Sequence, residues 1–305
     1  MIYDLIIIGG GPAGISVGIY AARKKLNTLL VTKEFGGQMN KAHEVDNWPG
    51  TPMIKGPDLV KKFVEHLKKF EIEIKEGKNV REVKKAGEGF EVILEDGEKF
   101  ETKTIMIASG KNPRPLKVPG EQEFLGRGVT YCSVCDTPMF KGKDVAVIGG
   151  GNAGLDAALD LTKYANKIYV LEFGEKFRGD ESTQEKLKAN GKVEMITNSV
   201  IKEVKGDKFV ESLVYEDKKI SKTKELKIQG VFVEIGYVPS SGFIKDLVEF
   251  NKRGEIVINP KDNSTKTPGV FAAGDVTDVV YKQIIIAAGE GVKAALSTYN
   301  FLQKK

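Results

Sequence analysis

Leu5-Ile6-Ile7-Ile8-Gly9-Gly10-Gly11-Pro12-Ala13-Gly14 is an apolar run that ends on a glycine cluster, and residues Ile15 to Arg23 after it have helical character. A second apolar run, Asn27 to Val31, completes a strand–turn–helix–strand unit. Within it, Gly9-x-Gly11-x-x-Gly14 puts each glycine where a dinucleotide site needs one. The first permits the tight turn, the second lets the backbone approach a pyrophosphate, and the third packs helix on strand. The helix start then offers free N–H groups and a positive dipole end to phosphates. Glu34, twenty residues past Gly14, stands where an acidic partner for a ribose is expected.

The same plan returns further along. Val145 to Ile148 is a predicted strand, Gly149-Gly150-Gly151 a turn, Asn152 to Tyr164 a helix and Lys167 to Leu171 the next strand. The fingerprint is Gly149-x-Gly151-x-x-Gly154, and Glu172 follows eighteen residues past Gly154. Two readings of Glu172 stand side by side: a solvated strand-end carboxylate, or an acceptor for the adenosine ribose hydroxyls of NAD. Two copies of one architecture predict two dinucleotide-binding domains.

The material between and after them is of another kind. Gly87 to Glu101 alternates charged residues with Phe90, Val92 and Leu94, as antiparallel hairpins do, and Thr104 to Ser109 is a short apolar strand closing on Gly110. Pro113-Arg114-Pro115 through Pro119-Gly120 reads as a linker, and Gly236-Tyr237-Val238-Pro239 leads into a second one. Similar alternation runs from Lys202 to Glu234, and strand–turn–helix character resumes at Gly269. The expected fold is α/β: two Rossmann-like domains, each a parallel sheet with helices plus a small antiparallel element, the second inserted in the first. Residues 1–114 and 245–305 would form the outer domain and residues 115–244 the inner one.

Composition excludes several classes. The 305 residues are 41% hydrophobic and 29% charged, and the net charge of +5 is scattered with no basic block, which argues against a nucleic-acid or membrane partner. Leu5 to Ala22 carries no charge, but Asp4 precedes it and the glycines with Pro12 break it, so it is neither a signal peptide nor a span. The two cysteines, Cys132 and Cys135, are too few and too close for a secreted disulfide scaffold, which points to a cytoplasmic protein. A C-x-x-C pair can close to a disulfide and reopen with little backbone movement. Asp136 directly follows and can supply or accept the proton that thiolate chemistry needs. A metal would need two more ligands, and only His43 and His66 exist, far upstream and not spaced as a pair; no metal is expected. His43 reads as a surface or loop residue and His66 sits in a lysine-rich helix. Phe271-Ala272-Ala273-Gly274-Asp275 is an apolar strand ending in Gly-Asp before a helix, either an ordinary turn or a carboxylate placed near a cofactor's ribityl chain.

Ile8 to Gly14, Gly36-Gly37-Gln38-Met39, Val45-Asp46-Asn47-Trp48-Pro49-Gly50, Cys132-Ser133-Val134-Cys135-Asp136 and Gly269 to Asp275 occur in this order. Together they resemble the low-molecular-weight thioredoxin reductase family, which includes the flavoprotein component of alkyl hydroperoxide reductase. The resemblance implies FAD held by Gly9, Gly11, Pro12, Ala13, Gly14, Glu34, Gly37, Gln38, Asn47, Gly110, Gly274, Asp275, Lys282, Gln283 and Ile284. It implies a nicotinamide nucleotide held by Gly149, Gly151, Asn152, Ala153, Gly154 and Glu172. It further implies a homodimer and an inner domain that rotates, presenting first nicotinamide to the flavin and then the cysteines to a protein partner.

Where NADPH-preferring members carry His-Arg-Arg, this sequence reads Glu172-Phe173-Gly174, with no arginine until Arg178; NADH is the expected donor and NADPH the other candidate. Tyr281-Lys282-Gln283-Ile284 replaces the Arg-Gln-Ala common in thioredoxin reductases, which is closer to the hydroperoxide reductase flavoprotein. That protein carries a thioredoxin-like extension before its FAD strand, whereas this sequence starts at the strand. The partner is therefore open among thioredoxin-like, glutaredoxin-like and hydroperoxide reductase proteins.

The relay implied runs from nicotinamide to FAD to the Cys132–Cys135 disulfide, with Cys135 the sulfur nearer the ring and Asp136 protonating the leaving thiolate, and then to an external disulfide. Rival readings are an oxidase that delivers electrons to oxygen, a non-enzymatic flavin redox sensor, and a variant fed by ferredoxin, against which the intact second fingerprint argues.

Overall fold

The computed structural model describes residues 2–42 and 45–304, so His43 lies outside the described residues. The chain forms two units, one of Met1–Ala42, Trp48–Asn112 and Val238–Lys305, the other of His43–Asn47 and Pro113–Tyr237.

In the first unit the strand Ile2–Gly10 pairs in parallel with Thr28–Phe35 on one side and Lys99–Ile107 on the other. Glu73–Glu76 extends the sheet beyond Thr28–Phe35. Ile6, Ile8, Leu29, Val31, Ile105 and Ile107 are buried on one face, while Leu5, Ile7 and Leu30 are buried on the other, as expected of parallel strands covered on both sides. The helix Pro12–Arg23 packs along the C-terminal helix Ile284–Gln303 so closely that a Cβ on Gly291 would lie 2.4 Å from the Ala13 carbonyl oxygen.

One element departs from the sequence reading. The hairpin ending at Glu101 and the apolar strand starting at Thr104 are a single strand, Lys99–Ile107. Its first half pairs antiparallel with Gly89–Leu94, and its second half pairs parallel with Val270–Ala272. The antiparallel strands are thus an extension of the parallel sheet. The alternating half faces water on one side, and the apolar half, Ile105-Met106-Ile107, is buried on both.

The second unit repeats the parallel plan with strands ordered Val193–Ile196, Lys167–Leu171, Asp144–Ile148, Gly230–Val233 and Val129–Thr130. Here the antiparallel strands Ser199–Gly206, Val210–Asp217 and Lys222–Lys227 form a sheet of their own. In the first unit, which the chain re-enters at Val238, Ile244 and Val248 pack in the core with Ile6, Ile8 and Ile105. Among the described residues no helix is long and apolar enough to cross a membrane; Leu5 to Ala22 is strand, turn and helix.

Candidate functional site

Both glycine fingerprints form a strand–turn–helix cradle whose geometry excludes side chains at some positions and leaves space at others. Gly9 and Gly149 have φ of +115° and +125°. A Cβ on Gly14 would lie 1.8 Å from the Gly9 carbonyl oxygen, and one on Gly154 would lie 2.0 Å from that of Gly149. Gly11 and Gly151 have no heavy atom within 4 Å of an added Cβ. The helices that follow, Pro12–Arg23 and Asn152–Leu161, start without a side-chain cap and without an acidic residue in the first turn. Free N–H groups, an unopposed positive dipole end and bare backbone at the second glycine fit a pyrophosphate.

This predicts a contrast between two alanine variants. Gly14→Ala should destabilise the FAD-free protein by about 1–3 kcal/mol, because a backbone carbonyl cannot yield. Gly11→Ala should leave its thermal unfolding nearly unchanged and weaken FAD binding at least about tenfold, because the methyl enters the phosphate's space. Thermal unfolding of the stripped proteins and FAD titration measure the two effects; equal loss of FAD affinity without loss of stability in Gly14→Ala would contradict the packing argument.

The middle glycine of each cluster also has a structural reason. A Cβ on Gly150 would meet Glu172 Oε2 at 2.6 Å, and one on Gly10 would meet Thr32 Oγ1 at 2.6 Å. The spacing is the same in both, 172 − 150 = 22 and 32 − 10 = 22. Thr32 therefore holds in the first unit the place Glu172 holds in the second, and Glu34 lies two residues further on, exposed. Counting from the middle glycine is the signal that would have found Thr32.

The other FAD candidates of the first unit converge from separate segments. Gly274–Val276 is a tight turn after the strand Val270–Ala272, and a Cβ on Gly274 would lie 3.1 Å from that of Ala13. The turn that carries Asp275 thus abuts the fingerprint helix. Burial pushes the Asp275 carboxyl above its usual range, the Lys111 and Lys282 ammonium groups oppose this, and Glu255 adds to it. Lys282 Nζ donates to the carbonyl oxygens of Thr277 and Asp275 and pairs with Glu255 at 3.2 Å. Burial alone would raise the Glu255 pKa, but a hydrogen bond from Asn251 at 2.8 Å and the Lys282 charge hold it below the ordinary value. Lys282 therefore ties the Asp275 turn to Glu255. Gln283 occupies the cap position of Ile284–Gln303, whose first turn, beginning at Ile284, has neither side-chain cap nor acidic residue.

Gln38 Nε2 donates to the Lys111 carbonyl oxygen at 3.2 Å and to Asn112 Oδ1 at 3.4 Å, fastening the Gly37–Lys41 turn beside Gly110, which has φ +68°. Asn47 falls in the second unit, unlike the other FAD candidates.

In the second unit, Glu172 is 3% exposed and its two oxygens take backbone N–H groups: Gly150 to Oε2 at 2.6 Å and Gly174 to Oε1 at 2.8 Å. It is a staple joining the glycine turn to the loop after the second strand, which replaces the solvated reading. These N–H groups take two of a carboxylate's four acceptor positions. Arg178 lies 3.7 Å from Oε1 but its side chain is 74% exposed, so the pair contributes little. Asn152 Oδ1 accepts the Asp180 N–H at 2.8 Å, and Ala153 is exposed on the first turn.

Cys132 and Cys135 are disulfide-bonded with Cα atoms 5.3 Å apart, across the start of the short helix Ser133–Asp136. Asp136 donates its N–H to the Cys132 carbonyl oxygen at 3.1 Å and accepts a hydrogen bond from the Thr130 hydroxyl. Just before the pair, the Tyr131 hydroxyl donates to buried Glu121 at 2.5 Å, and burial followed by that bond raises the Tyr131 pKa. Glu121 also accepts the N–H groups of Leu116 and Lys117 at 2.6 and 2.8 Å, within the segment that reads as a linker. Thr130, Tyr131 and Glu121 were not legible as site residues, because their roles arise from contacts. His66 is exposed on the helix Gly56–Leu67, beside Phe70. Among the described residues no three His, Cys, Asp or Glu side chains gather as a metal site.

The sequence profile of the pyridine nucleotide-disulphide oxidoreductase family matches residues 3–291. A protein of Bacillus subtilis named NADH dehydrogenase is 41% identical over 300 residues, covering 98% of this chain and 58% of that protein. A component of the alkyl hydroperoxide reductase of Pseudomonas aeruginosa is 43% identical over 304 residues, again covering 98% and 58%. The chain thus spans about 58% of the length of these two relatives. Among solved structures, the thioredoxin reductase from Streptococcus pyogenes superposes with a TM-score of 0.93 at 36% identity, covering 100% of this chain and 99% of that one. The thioredoxin reductase from Giardia duodenalis gives 0.91 at 34%, with 99% of each covered.

Proposed function

Because the chain belongs to the pyridine nucleotide-disulphide oxidoreductase family, we propose that it passes electrons from NADH, through FAD, to the Cys132–Cys135 disulfide and on to the disulfide of a partner protein. The partner is a thioredoxin-like, glutaredoxin-like or hydroperoxide reductase-type protein. The observation that carries this reading is the disulfide itself, closed between Cys132 and Cys135 with Asp136 hydrogen-bonded on its flank. Bound FAD would take a hydride from the nicotinamide and pass on two electrons. The protein's residues do the rest. Gly9, Gly11 and Gly14 admit one pyrophosphate and Gly149, Gly151 and Gly154 another. Asp275 accepts hydroxyl donors of the ribityl chain, and Glu172 keeps two acceptor positions for a ribose. Asp136 lends a proton as the disulfide opens and takes one back when the second thiol must ionise. We also place the protein in the reducing cytoplasm, as a homodimer. FAD-loaded protein should reduce thioredoxin-, glutaredoxin- or peroxiredoxin-type disulfides with NADH; failure with every one of these and with a small aromatic disulfide would overturn the reading.

The relative named NADH dehydrogenase favours a second reading, in which electrons leave for a non-disulfide acceptor. NADH-dependent oxygen consumption that matches disulfide turnover and survives Cys135→Ser would establish it.

A trade-off is expected at Asp275. Its carboxyl is raised in the folded state, so the folded protein holds that proton more tightly than the unfolded chain. The associated stability is present at low pH and is lost as pH rises through the folded value. Asp275→Asn should therefore raise the melting temperature of FAD-free protein at pH 7, with the gap closing below about pH 4, and should weaken FAD binding at least about tenfold. Melting curves at both pH values, beside FAD titration, check it; a lower melting temperature at pH 7 would show that the ionised carboxylate is stabilising.

A further inference from the structure

Thr130 ends the two-residue strand Val129–Thr130, opposite Phe232 of Gly230–Val233, and is 7% exposed. Its Oγ1 accepts the Cys132 N–H at 3.1 Å and its hydroxyl donates to Asp136 Oδ2. A threonine hydroxyl has one proton. With an oxygen lone pair turned to the Cys132 amide, that proton is directed to the carboxylate, and the two bonds polarise each other. Thr130 thus joins the two ends of the redox motif, the main chain of the first cysteine and the acid after the second.

The next residue, Tyr131, is held at two points. The Tyr131 ring is anchored on Glu121, and the Tyr131 carbonyl oxygen accepts the Tyr237 hydroxyl. The position of the Thr130 hydroxyl is therefore set by the core of the second unit.

We propose that Thr130 is a positioning residue for proton transfer at the cysteine pair, holding the Asp136 carboxylate in one orientation for the opening and closing of the disulfide. This rests on the reading that Asp136 moves the proton. Two electrons break the S–S bond and leave two sulfur anions; one takes the proton from Asp136, giving a thiol, a thiolate and a carboxylate. The thiolate attacks the partner disulfide and expels one partner thiolate. The remaining thiol then returns its proton to Asp136, attacks the mixed disulfide, and restores the Cys132–Cys135 bond as the second partner thiolate leaves. In both proton steps the carboxylate must be in place, and a hydrogen bond to a charged acceptor is strong enough to hold it.

Thr130→Ser, Thr130→Val, Asp136→Asn and the double variant Thr130→Val/Asp136→Asn separate the possibilities. Three quantities are read. They are NADH-driven turnover of a small aromatic disulfide, ferricyanide reduction by the same FAD-loaded proteins, which bypasses the cysteines, and the rate at which iodoacetamide alkylates the dithiothreitol-reduced pair without FAD. Thr130→Val should lower disulfide turnover about tenfold and change the alkylation rate, with ferricyanide reduction within about twofold of wild type. Thr130→Ser should stay within about threefold of wild type in all three. The double variant should be no slower than Asp136→Asn, because the two residues act as one unit. Thr130→Ala repeats the comparison if the valine variant fails to bind FAD.

Disulfide turnover in Thr130→Val and Thr130→Ala close to wild type, while Asp136→Asn is slow, would overturn the proposal and leave the Asp136 reading intact. So would a serine variant as slow as valine, or losses that multiply in the double variant. An unimpaired Asp136→Asn would remove the Asp136 reading, and the proposal with it.

Discussion

Cys135→Ser should lose NADH-driven disulfide reduction by at least about a thousandfold, roughly 4 kcal/mol of transition-state stabilisation, and still bind FAD. The cysteines are joined in the structure with Cα atoms 5.3 Å apart, and no further cysteine exists to replace either. A serine hydroxyl can neither form the bond that stores two electrons nor leave as a stable anion in exchange. The substitution is nearly isosteric and the site is half-buried at the end of a short helix, so folding should be spared. Reduction of the flavin by NADH should continue, since the glycine cradles are built from other residues. Stopped-flow absorbance of the FAD-loaded variant checks both halves. If bleaching disappears in a folded protein that retains FAD, the cysteines do not lie after the flavin in the relay. Cys132→Ser should behave alike in turnover.

NADH should exceed NADPH in kcat/KM by about 30- to 150-fold. Glu172 is buried and already takes two backbone N–H groups, and on the proposed reading its other acceptor positions receive the ribose hydroxyls. A 2′-phosphate brought within 4 Å of the carboxylate meets a repulsion of about 4 kcal/mol per unit-charge pair at an effective dielectric of ~20. Solvent and relaxation reduce this to about 2–3 kcal/mol, which is the stated ratio. Arg178 does not offset it, since its guanidinium is mostly in water at 3.7 Å from Oε1. The hydrogen bonds also decide the right variant. Glu172→Ala would leave the Gly150 and Gly174 amides unpaired and impair both nucleotides. Glu172→Gln removes the charge and keeps one acceptor oxygen, so NADH efficiency should fall while the ratio narrows below about tenfold. Steady-state kinetics with both donors measure this. Equal efficiency in the wild-type enzyme would mean that Glu172 is only the staple of the glycine turn.

The α/β class and the two dinucleotide-binding units were legible because their signals are local. An apolar run, a glycine turn and a helix start lie within about fifteen residues, and the turn's requirements, φ of +115° at Gly9 or the 1.8 Å approach at Gly14, are met only by glycine. In sequence the strand Lys99–Ile107 has the signature of two elements because its halves have different periodicities. Its polarity alternates where Gly89–Leu94 is the neighbour and is continuous where Val270–Ala272 is, and the second neighbour comes from more than 160 residues away (270 − 107 = 163).

The sequence by itself determined the class of fold, the two glycine turns and the cysteine pair, since each is a short motif whose signal lies within its own residues. Tertiary structure alone decided what the isolated polar residues do. Glu172 faces the Gly150 and Gly174 amides, Lys282 is turned onto Glu255 and the Asp275 turn, and Thr130 bridges Cys132 and Asp136. A buried polar group must find partners. Those partners are mostly backbone N–H and C=O groups, which every residue carries alike, so no pattern of side chains could announce them before the chain had folded.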